Sequence, residues 1–413
     1  MVEGPPFPTG LSVEEARARI VAVASGHRLQ AESVDLDAAF GRVLAEDVTA
    51  PHDVPPFANS AMDGFAVRAA DLSASGSVTL RLAGQILAGG SEAPDVVEGT
   101  CVRITTGAAL PRGADTVVMK ENAHEEGGTV HIQPGTPKGA NVRPAGEDYR
   151  KGDRALESGM RLTPARVAAL ASFGRTQARV AAMPRAVLLT TGDELVPAGT
   201  FLRDGQIHDS NRYSLGGLLE QHGVVLARHE RVRDDPRDLR AALLRAGAQA
   251  DIIVSSGGVS AGAADYLPGV IAEIGEVYFW KVRIKPGMPF LFGRVGRALS
   301  FALPGNPVSG IATFLALVRP ALDTMTGAAG PAEPLRARLR QPLRKRHARA
   351  EFQRAALECD ADGVLWATVL AKQGSGMLRG VADADALIIV PAGEQDFDTG
   401  HVVSVLPLPG WPA

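Results

Sequence analysis

The fold is decided by the stretch Asp251-Ile252-Ile253-Val254-Ser255-Ser256-Gly257-Gly258-Val259-Ser260. Its short apolar run is typical of a buried strand in a parallel sheet. The two glycines that follow can adopt positive φ and leave backbone N–H groups open to a ligand, and the serine hydroxyls add hydrogen-bond donors. Taken alone, the pattern fits either a loop that binds a phosphate or another anion, or an ordinary turn between a strand and a helix.

A second apolar run ends in Leu303-Pro304-Gly305-Asn306-Pro307. The two prolines fix their own φ angles and favour extended backbone in the residues before them, so the sequence predicts a stiff loop. A helix is predicted over residues 308–317, and the N–H groups at its start would also face an anion.

Two lysines lie between these loops, in a strand-like run over residues 277–285. Alternation along a strand would place Lys281 and Lys285 on one face together with Arg283. Such a face is either a binding surface for an anion or an exposed basic edge.

Strands and helices alternate over residues 185–327, which predicts a doubly wound α/β domain. Ligands of such sheets bind beyond the carboxyl ends of the strands. Ser210 is expected to cap one helix of this region, and Gly247 to lie just past the end of another. Four loops follow predicted strands and are expected to converge: residues 192–194, 234–235, 255–260 and 304–307.

The rest of the chain falls into further regions. A capping box, Ser12-Val13-Glu14-Glu15, predicts an N-terminal helix, and Thr163-Pro164 begins a second helix that is expected to pack against it. Residues 51–149 are dense in glycine, proline and short strand-like runs and predict a β-rich module. The chain after residue 327 predicts a small β-barrel or sandwich.

Composition restricts the class of protein. The 413 residues carry a formal net charge of −3, so nothing indicates nucleic-acid binding. Only two cysteines occur, Cys101 and Cys359, and their separation argues against a disulfide framework or a zinc site. No apolar run approaches the roughly 18 residues of a membrane span, and the N-terminus lacks the features of a signal peptide. The sequence therefore predicts a cytoplasmic protein that binds neither membrane nor nucleic acid.

Five motifs together indicate a family. In chain order they are Ser60-Ala61-Met62-Asp63-Gly64, Ser255-Ser256-Gly257-Gly258-Val259-Ser260, Gly262-x-x-Asp265-Tyr266, Lys281-x-x-x-Lys285-Pro286-Gly287 and Leu303-Pro304-Gly305-Asn306-Pro307-Val308-Ser309. In this order and spacing the chain resembles the molybdopterin molybdenumtransferases, which catalyse the last step of molybdenum cofactor synthesis and are similar to the E domain of gephyrin. Each motif alone is common, whereas the combination is specific.

The resemblance implies a multidomain fold of α/β and β parts. These are a discontinuous helical linker domain (1–50 and 150–184), an inserted β-rich domain (51–149), a doubly wound, molybdopterin-binding α/β domain (185–327) and a C-terminal β-barrel domain (328–413). It also implies a symmetric homodimer in which the β-rich module of one subunit closes the cleft of the other.

The implied function is that of a molybdenum insertase, a transferase that moves molybdate into adenylylated molybdopterin and releases AMP. Mg²⁺ is the implied cofactor, because a hard cation held by carboxylates makes a pyrophosphate a better electrophile. By resemblance the catalytic acids are Asp63, Glu194, Asp234 and Asp265, with Glu194 and Asp265 as metal ligands.

The same resemblance implies the substrate-binding set. The lysines would hold phosphate or molybdate as point charges, and Arg354 with Ser375 would form an anion site. The complete set is Thr106, Ser255, Gly257, Gly258, Ser260, Lys281, Lys285, Pro304, Asn306, Pro307, Arg354 and Ser375.

Four positions depart from the family's usual pattern. Ala58 and Phe65 stand where the family usually has Asp and Tyr, and Met288 stands where a lysine is frequent. Ala263 replaces a common carboxylate, so the metal site is expected to be weaker or to be bound mainly through substrate phosphate. Molybdate and tungstate have nearly the same size and charge, and the sequence leaves that choice open.

Two other functions remain open at this point. A gephyrin-like scaffold would bind partners without catalysis and would not need Asp63, Glu194 and Asp265, all of which are present. A molybdopterin adenylyltransferase shares the Ser-Ser-Gly-Gly and Gly-x-x-Asp motifs but would be one small domain. Contacts with that adenylyltransferase and with downstream cofactor-maturation proteins are also expected.

Overall fold

The computed structural model describes residues 7–90, 92–260, 262, 265–330, 334–393 and 395–411. The departure noted at Ala263 lies outside these residues. The helices are α1 (Val13–Ser25), α2 (Pro164–Ser172), α3 (Asn211–Gln221), α4 (Pro236–Gln249), α5 (Leu267–Ile274), α6 (Pro307–Thr313), α7 (Arg319–Thr326) and α8 (Leu378–Ala382).

The strands are short and occur along the whole chain. They are β1 (Thr9–Leu11), β2 (Ala31–Asp35), β3 (Val48–Thr49), β4 (Asn59–Ser60), β5 (Gly64–Val67), β6 (Val78–Ile86), β7 (Thr100–Ile104), β8 (Thr116–Met119), β9 (Ala123–Glu126), β10 (Thr129–Ile132), β11 (Val142–Arg143), β12 (Arg154–Leu156), β13 (Gln177–Ala181), β14 (Arg185–Thr191), β15 (Leu195–Val196), β16 (Ile207–His208), β17 (Val225–Val232), β18 (Ile252–Ser256), β19 (Glu276–Val282), β20 (Ile284–Lys285), β21 (Leu291–Val295), β22 (Ala298–Leu303), β23 (Leu335–Leu339), β24 (Leu343–Lys345), β25 (Ala350–Cys359), β26 (Leu365–Val369), β27 (Ala386–Val390), β28 (Gln395–Phe397) and β29 (Val402–Pro407).

The central element is a seven-stranded sheet in the order β1-β19-β21-β22-β18-β14-β17. Its strands β17, β14, β18 and β22 are parallel, whereas β21 runs antiparallel to both of its neighbours. Helices α1, α3, α6 and α7 cover one face, and α4 and α5 cover the other. The predicted doubly wound α/β fold is confirmed, with strands that are buried on both faces.

The N-terminal helix packs differently from the prediction. Strand β1 adds to the central sheet beside β19, and Val13, Ala16 and Ile20 of α1 belong to that sheet's hydrophobic core. The expected packing of α1 on α2 is therefore wrong, and residues 9–25 lie with the α/β part rather than with the linker. The apolar stripe of α1 predicted a partner but could not identify it.

The linker joins two stretches that are distant in sequence. Strand β2 pairs with β13 and β3 pairs with β12, and their side chains share one hydrophobic cluster with α2. Between these stretches lies a six-stranded sheet in the order β8-β5-β7-β6-β10-β9, which corresponds to the predicted β-rich insertion.

The C-terminal region contains a closed barrel of five strands. Strands β25, β26, β23, β29 and β27 pair in turn, and β27 pairs back with β25. Strand β20, which follows β19 of the central sheet, adds to β25 in parallel. That pairing joins the barrel to the α/β domain.

Residues 307–326 form one continuous helical segment, α6 and α7 joined by a π-helical turn over Phe314–Val318. Among the described residues, it is the helix long and apolar enough to cross a membrane, with a mean hydropathy of 1.2. However, 83% of its most apolar 18-residue window is buried inside the protein, as in a core helix. It extends well beyond the predicted end at residue 317.

Gly247 lies within α4 rather than after it, so the predicted helix end is wrong. A Cβ at this position would lie 2.5 Å from the carbonyl oxygen of Val295. The glycine therefore permits close packing of the helix on β21, a role that the sequence pattern does not distinguish from a helix end.

Candidate functional site

A groove lies beyond the carboxyl ends of the parallel strands. Its larger part is a cavity of about 950 Å³ that residues from three of the expected loops line, within 191–194, 256–260 and 304–307, together with Asp234 from the fourth. The predicted convergence of loops is confirmed for these residues. Helix α3, whose start also lines the cavity, was not expected there. The remaining lining residues are Leu195, Ile207, His208, Asp209, Ser210, Asn211, Gly262, Asp265, Pro289, Gly376 and Leu378.

Asn211 joins the two principal loops of this cavity. Its Nδ2 donates to Ser256 Oγ at 2.8 Å and to the carbonyl oxygen of Gly305 at 2.7 Å. The carbonyl can only accept, so it determines which end of the amide faces the loops. Asn211 Oδ1 is buried and has no hydrogen-bond partner among the described residues.

The start of α3 is held by Asp209 rather than by the expected Ser210. Asp209 accepts a hydrogen bond from the Arg212 backbone N–H at 3.0 Å, whereas Ser210 makes no side-chain capping bond. The other oxygen of Asp209 accepts from Thr190 Oγ1 at 2.6 Å and lies 3.6 Å from His229 Nε2. Burial opposes ionisation of Asp209, but hydrogen bonds from His229 and Thr190 outweigh it and lower its pKa.

The Ser-Ser-Gly-Gly loop requires its first glycine. Gly257 has φ of 96°, and a Cβ there would lie 2.5 Å from the carbonyl oxygen of Thr191. Gly258 also has positive φ, at 62°. The loop therefore packs backbone against backbone, and Gly257, Gly258 and Ser260 line the cavity.

Three of the four predicted acids share this cavity. Glu194, Asp234 and Asp265 all line it, and Asp193 lies close enough to Asp234 to accept its backbone N–H at 3.3 Å. Burial, followed by the neighbouring carboxylates Asp193 and Glu194, raises the pKa of Asp234. Asp265 accepts the backbone N–H of Gly262 at 2.7 Å. The cavity therefore holds concentrated negative charge.

The acids fit a hard cation only in part. No group of three or more His, Cys, Asp or Glu side chains is arranged to hold a metal ion within the described ranges. Carboxylate oxygens are nevertheless the ligands that Mg²⁺ prefers. Burial raises the pKa of Asp234 most, and the charges of Asp193 and Glu194, which a cation would compensate, raise it further. Oxygen ligands from a substrate phosphate would have to complete the coordination.

A second cavity of about 410 Å³ adjoins the first and shares Pro289, Pro304 and Asn306 with it. It lies between the central domain and the barrel. Two further predicted residues, Lys285 and Ser375, line it in addition to Pro304 and Asn306, and Asn306 Nδ2 donates to Ser375 Oγ at 3.0 Å. Arg349 and Glu351, which the sequence interpretation did not identify, line it as well.

Three predicted residues of the central domain and the barrel do not reach either cavity. Ser255 does not reach the cavity because alternation along β18 directs Ser256 to it instead. Ser255 is fully buried, and its hydroxyl has no hydrogen-bond partner among the described residues. Arg354 is also fully buried, where its Nε and one terminal nitrogen donate to the carbonyl oxygen of Lys372 at 3.0 and 2.6 Å. Arg354 thus supports the loop that carries Ser375 and is not exposed to an anion.

Lys281 is the third of these residues. It adopts φ of 63°, and its ammonium group lies 4.2 Å from the centre of the Trp280 ring. The positive φ interrupts the alternation on which the shared face of two lysines depended. Strand β19 ends at Val282 and β20 begins at Ile284, so the predicted continuous strand is wrong.

Asp63 and Thr106 meet on the inserted β-rich domain. Asp63 accepts hydrogen bonds from the Thr106 backbone N–H at 2.8 Å and from its hydroxyl at 2.9 Å, and it lies 3.9 Å from Lys120 Nζ. The backbone bond and then the hydroxyl bond lower the pKa of Asp63. Neither residue lines the two cavities of its own chain, so within one subunit the structure does not bring Asp63 to Glu194 and Asp265.

Three family profiles match the chain in succession. They are described as "MoeA N-terminal region (domain I and II)" over residues 11–174, "Probable molybdopterin binding domain" over residues 187–324 and "MoeA C-terminal region (domain IV)" over residues 336–408. The second profile spans the loops that form the groove.

Curated relatives are similar over nearly the whole chain. A protein of Haemophilus influenzae named "Molybdopterin molybdenumtransferase" is 36% identical over 400 residues, which are 96% of this chain and 98% of the relative. A protein of Nostoc sp. with the same name is 36% identical over 388 residues, which are 92% of this chain and 89% of the relative.

The architecture is also similar to solved structures. A molybdopterin biosynthesis moeA protein from Pyrococcus horikoshii superposes with a TM-score of 0.83 at 28% identity, covering 97% of this chain and 100% of that one. A second structure described in similar words has a TM-score of 0.79 at 32% identity, covering 98% of this chain and 100% of that one.

Proposed function

The chain belongs to the molybdopterin molybdenumtransferase family, a family of transferases in molybdenum cofactor synthesis, and we propose that it transfers molybdenum from molybdate to adenylylated molybdopterin with release of AMP. The observation that carries this proposal is the pair of adjoining cavities, one lined by donors and acids and the other by two cations, Lys285 and Arg349, with the carboxylate of Glu351. Two anionic reactants held side by side are what the reaction requires.

The larger cavity accommodates the adenylylated pterin. The backbone N–H of Gly258 and the hydroxyl of Ser260 suit the oxygens of a pyrophosphate. The N–H of Gly257 and the hydroxyl of Ser256 already donate to the carbonyl oxygens of Leu303 at 3.1 Å and Pro304 at 3.4 Å, so they hold the two loops together. Pro304 and Pro307 hold the opposite loop, and the start of α6 directs its N-terminal dipole towards the same region. Asn306 lies where the two cavities meet.

The smaller cavity accommodates molybdate. Lys285 and Arg349 supply positive charge, and the hydroxyl of Ser375 supplies a donor. Arg349 takes the role that the sequence interpretation gave to Arg354, because Arg354 is buried behind the loop. Lys281 contributes no contact in this arrangement.

Glu194 and Asp265, with Asp234 beside them, would hold Mg²⁺ together with substrate phosphate oxygens. When bound, the ion neutralises charge on the phosphoanhydride that breaks as AMP leaves. The raised pKa of Asp234 supports a site that gains from a cation. The carboxylates also repel further anions from the far side of the cavity, which restricts where the pyrophosphate can lie.

A homodimer is part of the proposal. Asp63 and Thr106 lie on a domain of which no described residue lines its own subunit's groove. In a symmetric dimer, the insertion of one subunit can close the groove of the other, as the family resemblance implies. We also propose that the enzyme acts in the cytoplasm and receives its substrate from the adenylyltransferase of the same synthesis.

The experiment that tests this function is an AMP-release assay with purified adenylylated molybdopterin. We expect AMP release on addition of molybdate, and tungstate in parallel will show whether the oxyanions are distinguished. Glu194→Gln should bind the adenylylated pterin but release AMP at least about 100-fold more slowly, since it loses a charge beside the breaking bond. Normal turnover by this variant would contradict the assignment of the acids, and no AMP release by the wild-type enzyme would contradict the function.

A further inference from the structure

Lys285 is paired with a carboxylate before any ligand binds. Strand β20 lies beside β25 in a register that places Lys285 opposite Glu351. Lys285 Nζ lies 2.9 Å from Glu351 Oε1, and the Glu351 side chain is only 8% exposed. Both residues line the smaller cavity. A cation that the proposed function assigns to an oxyanion therefore already has a counter-ion.

Glu351 is held in its ionised form. Burial would raise its pKa, but hydrogen bonds from Lys285 and Gln353 outweigh burial and lower the pKa instead. Gln353 Nε2 lies 3.1 Å from Glu351 Oε2, and His347 Nε2 lies at the same distance from that oxygen. The negative charge is thus fixed in place by three neighbours.

The charge of the cavity then depends on Arg349. The charges of Lys285 and Glu351 cancel, whereas Arg349 has no hydrogen-bond or ion-pair partner in the part of the chain that the structure describes. His347, which contacts both Lys285 and Glu351, has a buried Nδ1 without an acceptor among the described residues.

We propose that Glu351 sets the affinity of this site for a divalent oxyanion, by neutralising Lys285 and so keeping the binding of the anion weak. The inference rests on the proposed function, which places molybdate in this cavity. An oxyanion that must leave its site during transfer gains nothing from very tight binding in the ground state. Because Lys285 is already paired with Glu351, its ammonium group can donate hydrogen bonds that orient the oxyanion, but much of its positive charge is neutralised.

The proposal predicts a gain of affinity on removal of a buried charge. Glu351→Gln keeps an acceptor for Lys285 but removes the repulsion, so sodium molybdate alone should bind about 3- to 10-fold more tightly to the variant. Isothermal titration calorimetry on the full-length protein measures this directly. A residue with a merely structural role would weaken binding when substituted, so unchanged or weaker binding overturns the proposal.

The matched control is Glu358→Gln, on the same strand. Glu358 is 73% exposed and pairs with Arg340, and it lines neither cavity. The same chemical change at this position should leave molybdate affinity within about twofold of the wild type, since an exposed charge is screened. A comparable gain in this variant would attribute the effect to total charge and overturn the assignment to Glu351.

A charge-compensated pair tests the inference even if the single variant folds poorly. Lys285→Gln alone should weaken binding about tenfold, because it exposes the ligand to an uncompensated Glu351. Adding Glu351→Gln restores the net charge and should recover most of that loss; a double variant as weak as Lys285→Gln would refute the proposal. If the variants show the expected changes in molybdate affinity but the wild-type enzyme releases no AMP, the proposed function fails and the inference about Glu351 stands.

Discussion

At the scale of single residues, the site depends on one amide that the sequence interpretation missed. Asn211 lies 45 positions before one of its loop partners and 94 before the other, yet it bonds both. The sequence predicted Ser210 as the cap of this helix and assigned no role to Asn211. Only the folded chain brings its Nδ2 between Ser256 and Gly305.

Asn211→Ala should release the two loops from each other. We expect the KM for adenylylated molybdopterin to rise about tenfold with a smaller change in kcat, since two hydrogen bonds of about 1 kcal/mol each are lost from a binding surface. Steady-state AMP release measures this. Ser214→Ala, one turn further along α3, is the control and should behave as the wild type. An unchanged KM for Asn211→Ala would show that Asn211 does not position the two loops for substrate binding.

The acids of the larger cavity make a second prediction at this scale. Asp234 has a raised pKa, so the folded state favours its protonated form, and the resulting penalty is present above the folded pKa and disappears as the pH falls below the unfolded value. Asp234→Asn should therefore raise the Tm by about 1 °C at pH 7 while lowering activity. Thermal unfolding at pH 7 and at pH 3 checks this, and the gain should largely disappear at the lower pH, which lies below the unfolded pKa.

Asp235 is the matched control for that experiment. It caps α4 through the backbone N–H groups of Arg237 and Asp238, and these bonds lower its pKa. Its stabilisation is present above the unfolded pKa and is lost on acidification, so Asp235→Asn should lower the Tm at pH 7. If both variants shift the Tm in the same direction, the assigned electrostatics are incorrect.

At the scale of elements, glycines occur for different structural reasons, some at turns and others where two backbones are in close contact. Gly257 needs positive φ in a backbone-to-backbone contact, whereas Gly217 lies in α3, where an added Cβ would have no atom within 4 Å. Gly247 occupies a helix for a third reason, its packing on β21. Sequence patterns treat the three alike, because the distinction is made by what each residue faces.

A pair of substitutions tests this distinction. Gly217→Ala should stabilise the protein by about 0.5–1 kcal/mol, because alanine reduces the entropy of the unfolded chain and favours a helix. Gly257→Ala should destabilise it by about 2 kcal/mol or more and impair AMP release, because Thr191 and Gly257 must move apart. Urea unfolding provides both values. Equal effects of the two substitutions would contradict the description of the Gly257 loop.

At the scale of the whole molecule, the predicted acid set is divided between domains. Asp63 is on the insertion, whereas Glu194, Asp234 and Asp265 line a groove that none of the insertion's described residues reaches. Complementation between subunits distinguishes action across a dimer from action within one chain.

Asp63→Ala and Glu194→Ala subunits, inactive alone, should regain activity when coexpressed with different tags and purified as mixed dimers. One of the two grooves then carries both native acids, so mixed dimers should show about half of the wild-type AMP release. Absence of complementation in isolated mixed dimers would indicate that Asp63 acts within its own chain or not at all. Sedimentation analysis confirms the mass of the assembly.

The sequence by itself determined the α/β alternation, the β-rich insertion, the barrel and the loops with Gly257, Gly258, Pro304 and Pro307. These features follow from local rules: the period of apolar residues, the φ freedom of glycine and the rigidity of proline. The combination of motifs identified the family, and the resemblance to that family identified the acids that line the groove.

Only the tertiary structure decided which side chains reach the ligand. The register of β20 with β25 places Lys285 beside Glu351. Alternation along β18 buries Ser255 and directs Ser256 to the larger cavity. Arg354 is buried, and Arg349 lines the smaller cavity in its place. Each outcome depends on contacts between segments that are far apart in sequence. Their geometry is determined by the packing of whole domains, which no local pattern of residues encodes.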